Sequence, residues 1–415
     1  MVESFKSGES SAENLREKDL LQEQTKLELQ DLKLDVADND ENKYWELCEK
    51  TSLTVDEARY IVNYANGREW PFIRLWVKEI DKEVAAELSK GKSLHLNWLK
   101  EIDKEVAVEL SKVKQLNLNW LTSITPEIAA ELAKVGELAL NWLTSITPEV
   151  AAELSKIEKA LYIGWLTKID KEVAAELSKF TGTLFGLTGL KEIDKEVAAE
   201  LSVIKWPIYL NWLTSITPEI AAELSKVEWE LYLNWLKEIN KEVAMELSSK
   251  IKWPIHLNWL TSMDKEVAAE LSKVENLHLY WLKEIDKEVA AELSKVKSLQ
   301  LNWLKKINKE VAVELSKVRY NLQLNWLKEI DKEVAAGLSL KTKWFLNLNW
   351  LKTVDKEVAA ELSKVSAQLE LDRLETITDE AVIELAKARS LFINEEILTP
   401  KQKQILIDAW VVYIQ

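Results

Sequence analysis

Leu94-His95-Leu96-Asn97-Trp98-Leu99-Lys100-Glu101-Ile102-Asp103-Lys104-Glu105-Val106-Ala107-Val108-Glu109-Leu110 alternates apolar and polar residues over its first four positions, then changes period. The alternating part predicts a short strand with its leucines on one face. From Lys104 to Ser111, the spacing of Val106, Ala107 and Leu110 predicts a helix of about two turns with one buried stripe, leaving Glu105, Glu109 and Lys112 in water. The unit returns from Leu116, Leu277, Leu299 and Leu322, and between Trp76 and Arg373 it recurs fourteen times at 22 to 24 residues. A fixed period of that length predicts a solenoid, in which each repeat buries its apolar face against its neighbours.

Each helix has a start signal. Asp, Thr or Asn stands at the N-cap position in every regular unit, for example Asp81, Asp103, Thr125, Thr147, Asp170, Thr217, Asn240, Asp286 and Asn308. Their side-chain oxygens can accept a bond from otherwise unpaired helix N–H groups. Where the cap is Thr125, Thr147 or Thr217, a proline follows (Pro126, Pro148, Pro218) at the one helical position where its missing N–H is not needed. Helices this short do not persist alone, so the buried stripe must pack on a sheet. Strand, turn, helix and return to a parallel neighbour predict an α/β solenoid with a single curved sheet.

The spacing from Val113, read as Val-x-x-Leu116-x-Leu118-x-x-Leu121-x-x-Ile124-Thr125, resembles the leucine-rich repeat, whose core pattern is L-x-x-L-x-L-x-x-N/C. Ile377-Thr378-Asp379-Glu380 is similar to the cysteine-containing subclass found in F-box proteins, without its cysteines. The resemblance covers roughly residues 70 to 398. It implies a curved parallel sheet on one face, short helices on the other, and caps at both ends. The sequence departs from the pattern at the Asn/Cys position, occupied by Leu99, Leu121 and Leu143. A leucine cannot form the side-chain ladder of asparagine there, so packing must hold the turn.

Four regions follow: an acidic polar tail at 1–40, an N-terminal cap at 41–69, about 14 repeats at 70–390, and a C-terminal cap at 391–415. Leu27, Leu29, Leu32, Leu34 and Val36 alternate weakly, as a docked strand or a solvated tail would. Leu53 to Ile61 matches the helical half of a repeat and is expected to cover the open core. Thr399-Pro400 is expected to open a last helix running through Ile405, Ala409, Trp410 and Val412.

Tryptophan precedes that leucine in twelve of the fourteen units, from Trp76 to Trp350, the exceptions being Gly189 and Arg373. With strands ~4.8 Å apart, these indoles should stack in a continuous row. Strict alternation turns the row inward as a hydrophobic spine; the family template sets it at the strand edge, partly in water, as a track for a ligand or another solenoid. Five further tryptophans (Trp70, 206, 229, 253, 344) occur only where the connection into the strand is long or unusual, where a ring could fill space. Asn97, 119, 141, 211, 234, 258, 302, 325 and 349 form a second column, expected to hydrogen-bond along the sheet.

The outward position between the two strand leucines varies while its surroundings do not. It carries all three histidines (His95, His256, His278), and Tyr209, Tyr232, His256 and His278 follow one another in consecutive repeats with Tyr280 beside them. Amphipathic rings at the centre of a concave sheet predict a recognition patch for a partner protein, against the alternative that any polar residue is tolerated there. A metal site on His256 and His278 lacks a third ligand, so no metal and no cofactor are expected.

A net charge of −15 argues against nucleic acid, which needs a basic footprint, and against anionic membrane surfaces. No apolar stretch reaches the length of a signal peptide or a bilayer span, so no membrane insertion and a cytoplasmic location are expected. Cys48 is the only cysteine, which rules out an intrachain disulfide; it is expected to be buried in the cap. Phosphate loops, nucleophile elbows and paired-cysteine motifs are missing from the sequence. The chain therefore reads as a non-catalytic scaffold for protein–protein interaction. The alternative is a structural protein that binds further copies of itself, favoured by near-identical repeats. Carbohydrate along the tryptophan row is the least favoured partner.

Overall fold

The computed structural model describes residues 39–342, 345–366, 368–409 and 412–414. The tail through residue 38, Trp344 and Trp410 lie outside the described residues. From Ile73 onward, strands of two to four residues are interspersed with α-helices of seven to nine, all strand pairs being parallel. Helices are roughly 10 Å wide, whereas strands sit ~4.8 Å apart. The sheet therefore takes the shorter, inner side of the coil and the helices the outer.

Local chemistry fixes each repeat. The strand Ser93–His95 is followed by the helix Lys104–Leu110, whose N-cap Asp103 accepts a hydrogen bond from the Val106 N–H at 2.8 Å. The same bond forms at Asp81, Asp170, Asp264 and Asp355. Thr125 makes it at 3.4 Å with Pro126 at the first helical position. Val106, Ala107 and Leu110 are buried, as are Leu94, Leu96 and Leu99, and this pattern joins one core running from Tyr44 to Leu406.

Leu99 points inward although alternation along the strand would not place both Leu96 and Leu99 in the core. The chain turns at Asn97-Trp98, and the Leu99 N–H donates to the Leu96 carbonyl at 3.3 Å. Equivalent bonds close the turns at Leu121, Leu213 and Leu260. The turn at the Asn/Cys position is thus held by a backbone hydrogen bond and a fully buried leucine. It also reverses the parity that alternation predicts for the tryptophans.

Three expectations are corrected. The sheet is not single: a six-stranded sheet ends at Leu184–Gly186, and a ten-stranded sheet begins at Ile208–Tyr209. The ladder bond that runs from Ile163 to Gly186 at 2.9 Å resumes from Leu210 to Tyr232 at 2.9 Å. Glu109 is not solvated; its side chain is only 12% exposed and pairs with Lys112, because close-packed neighbouring helices cover the last turn of each outer face. Thirdly, the C-terminal helix stops at Asp408, and Val412–Ile414 returns as a strand beside Ser390–Ile393.

At the N-terminal end, helices Asn39–Cys48 and Val55–Gly67 precede the first repeat strand. Thr54 and Glu57 form a capping box. Tyr44, Trp45, Tyr64 and Trp70 interlock there, with centroids 4.8 to 5.8 Å apart. Burial pushes the Tyr44 phenol far above its ordinary pKa. Cys48 is 2% exposed, buried as expected.

Candidate functional site

The variable column lies on the sheet face turned away from the helices. Strand pairing sets Tyr209 beside Tyr232, Tyr232 beside His256, His256 beside His278 and His278 beside Gln300. The rings touch in sequence. Tyr209 and Tyr232 stack at 4.4 Å, Tyr232 and His256 at 3.8 Å, His256 meets His278 edge-on at 4.1 Å, and His278 stacks on Tyr280 at 5.9 Å. All five candidate residues therefore form one unbroken aromatic file. His95 lies apart at the start of the sheet, stacked on Phe72 at 4.7 Å.

Burial dominates the electrostatics of the file. His256 is 7% exposed and His278 half-buried. Loss of hydration disfavours the imidazolium and lowers both to about 4, with His256 adding a smaller repulsion at His278. His95 is likewise lowered to about 4, by burial first and then by Arg74. At neutral pH the three rings are uncharged. His256 Nε2 and His278 Nδ1 are buried and without a hydrogen-bond partner among the described residues.

Glu230 is a member of the site that sequence reasoning missed. It accepts a hydrogen bond from the Tyr232 hydroxyl and lies 3.6 Å from His256 Nε2. The Tyr232 phenol is raised well above its ordinary range by burial and then by this carboxylate. The signal was present, since Glu230 and Tyr232 are two apart at the start of a strand and so share a face. Among the described residues, no group of three or more His, Cys, Asp and Glu is placed to hold a metal ion.

The main tryptophan row runs along the C-terminal edge of the strands, outside the leucine core. All twelve rings but Trp142 are half-buried. Ten of the eleven steps are stacked, with centroids 4.0 to 5.3 Å apart and planes within 29°. Stacking covers the ring faces and leaves edges towards water. The Arg373 guanidinium closes the far end, 4.5 Å from the Trp350 ring. The one irregular step is Trp165 to Trp212, across Gly189, at 5.9 Å and 48°.

A second file was not legible as such. Trp206, Trp229 and Trp253 stack at 5.9 and 5.3 Å along the N-terminal edge of the same three repeats, and Trp253 is 42% exposed. These rings meet one another rather than merely filling space. The asparagine column is only partly a ladder. Asn141 donates to Asn119 at 3.0 Å and Asn234 to Asn211 at 2.7 Å, whereas the Asn258, Asn302 and Asn325 side-chain oxygens are buried without partners among the described residues.

No family model matches the chain, and no curated protein matches it. Among solved structures it is similar to TLR13 in its complex with ssRNA13, at 15% identity over 80% of this chain and 56% of that one, with a TM-score of 0.51. A leucine-rich-repeat protein of Leptospira interrogans is 22% identical over 85% of this chain and 98% of that one, with a TM-score of 0.43. Toll of Drosophila, in its complex with Spatzle, is 14% identical over 74% and 43%, with a TM-score of 0.48. The chain thus spans about half the length of the Toll and TLR13 chains. The finer likeness to the F-box-type subclass stays with the sequence motif at Ile377. Repeat period, inward leucines, parallel inner sheet, outer helices and the match to TLR13 agree: the fold of this chain is that of the leucine-rich-repeat proteins.

Proposed function

We propose that the chain is a non-catalytic leucine-rich-repeat scaffold whose concave sheet face receives another protein. Residues 41–69 and 391–415 act as its end caps. The observation that supports it best is the unbroken file Tyr209–Tyr232–His256–His278, the only stretch of the variable column among the described residues in which every residue is a ring touching the next, extended by Tyr280 in the neighbouring asparagine column. Aromatic side chains lose little conformational freedom on binding and dominate the energetics of protein interfaces. Replacing Tyr232 and His256 together with alanine should weaken capture of a partner isolated with the intact chain by more than tenfold. Unchanged affinity removes this face from consideration.

Self-assembly is the second reading, supported by the file of Trp206, Trp229 and Trp253 at one sheet edge, half-buried at its first two rings and exposed at Trp253. Light scattering over a concentration series separates the two: a mass near 47.8 kDa throughout excludes assembly. TLR13 is described in complex with an RNA. A net charge of −15 weighs against the same ligand class here, as filter binding to single-stranded RNA would check. No helix among the described residues is long and apolar enough to cross a membrane, which is compatible with the cytoplasmic location proposed.

A further inference from the structure

We infer that the repeat containing Gly189 holds a small-molecule site for a planar aromatic anion, which completes the interrupted tryptophan row. Three independent features meet at this repeat. It lacks the ladder side chains: Gly186 stands in the variable column, Thr188 in the asparagine column and Gly189 in the tryptophan column. The sheet is interrupted immediately after it. A cleft of about 200 Å³ opens there, walled by Trp142, Trp165 and Trp212, with Thr144, Thr167 and Lys191 at its rim.

The row cannot close this cleft by itself. A Cβ at position 189 would overlap the carbonyl oxygen of Gly164 and crowd the Trp165 backbone, so no side chain can be placed there without moving the chain. Trp165 and Trp212 lean across the space but remain tilted by 48°. They are the two indoles within the row whose facing sides lack a stacked neighbour. Aromatic pairs are favourable at centroid distances up to ~7 Å in offset or tilted arrangements, so inserting a flat ring requires the two indoles to part and align. The interruption of the backbone ladder makes this the step along the coil where such parting is easiest.

The size and charge of the ligand follow from the walls. Sites for drug-sized molecules occupy ~300–1,000 Å³; 200 Å³ admits one mono- or bicyclic ring system. The Lys191 ammonium lies 5.5 Å from the Trp212 ring centre and has no carboxylate partner among the described residues. A ligand carrying a carboxylate or phosphate beside its ring would pair with Lys191. The threonine hydroxyls can donate or accept towards ring substituents.

Isothermal titration of the full chain with indole-3-acetate tests this, with tryptamine as the same ring bearing the opposite charge. The expected result is one saturable site per chain for indole-3-acetate and at least tenfold weaker binding of tryptamine. Lys191→Met should abolish that preference, and Trp212→Leu should abolish binding, while Tyr232→Ala leaves both unchanged. Circular dichroism and thermal unfolding of each variant show whether it has folded; if Trp212→Leu does not fold, Lys191→Met still decides. No saturable heat, or binding of the two ligands with equal strength, overturns the proposal.

Discussion

Trp165 and Trp212 face each other at 5.9 Å although a whole repeat lies between them in the chain. Everywhere else in the row, indoles this close belong to adjacent repeats. Gly189 places no indole between them, and this break in the row lies beside the break in the sheet and the cleft.

Gly189→Ala should therefore be disproportionately costly. Its methyl group would meet backbone rather than a flexible side chain, for which a loss of about 3 kcal/mol is expected. Gly67→Ala is the matched control. A Cβ there meets nothing within 4 Å and lies in the last turn of a helix, so a gain of about 0.5 kcal/mol is expected. Urea unfolding of both variants checks this, and similar effects at the two sites would contradict it.

The tryptophan row predicts a gradient between its interior and its end. Trp235 stacks on Trp212 at 5.2 Å and on Trp259 at 5.0 Å, so Trp235→Ala should cost about 2 kcal/mol. Trp350 has one indole neighbour and the Arg373 guanidinium, and its truncation should cost about 1 kcal/mol. Equal midpoints for the two variants would argue that the rings act singly rather than as a stack.

Acid should destabilise the chain through its histidines. Their folded-state values of about 4 lie below the ordinary 6.5, so as pH falls the unfolded chain takes up protons first. Their contribution is complete above pH 6.5 and is lost progressively towards pH 4. The difference in melting temperature between pH 7.5 and pH 5 should shrink when His256 and His278 are both replaced by glutamine. Imidazole resonances that titrate near 6.5 in the folded chain would refute the burial behind this.

Glu69 carries the one left-handed backbone conformation of a non-glycine residue among the described residues, with φ 56°. Glu69→Gly should relieve about 1 kcal/mol of strain, seen as a raised midpoint in thermal unfolding; an unchanged or lowered midpoint counts against it.

Much of this fold is legible in local chemistry. The 22- to 24-residue period, the caps at Asp103 and Thr125, and the stripe of Val106, Ala107 and Leu110 each declare themselves within one repeat. What escapes is set by relations between repeats. The orientation of Trp98 depends on a turn closed by the Leu96 carbonyl, which alternation cannot anticipate. Glu109 reads as solvated until a neighbouring helix is laid against it. The five candidate residues do form one file, yet Glu230 joins it only through contacts with Tyr232 and His256. Gly189 was visible as an exception in the row, but the sheet break beside it was not.

That interruption has a mechanical meaning. Along the rest of the coil, hydrogen bonds tie each strand to the next and make the inner wall stiff. Between Gly186 and Ile208 the wall is jointed, leaving a shorter arm of six strands and a longer one of ten. Under load from its two ends the inner wall would yield first at that joint, while the outer helices and the single core continue across it. Bending of the inner wall would concentrate there rather than spread evenly along the coil.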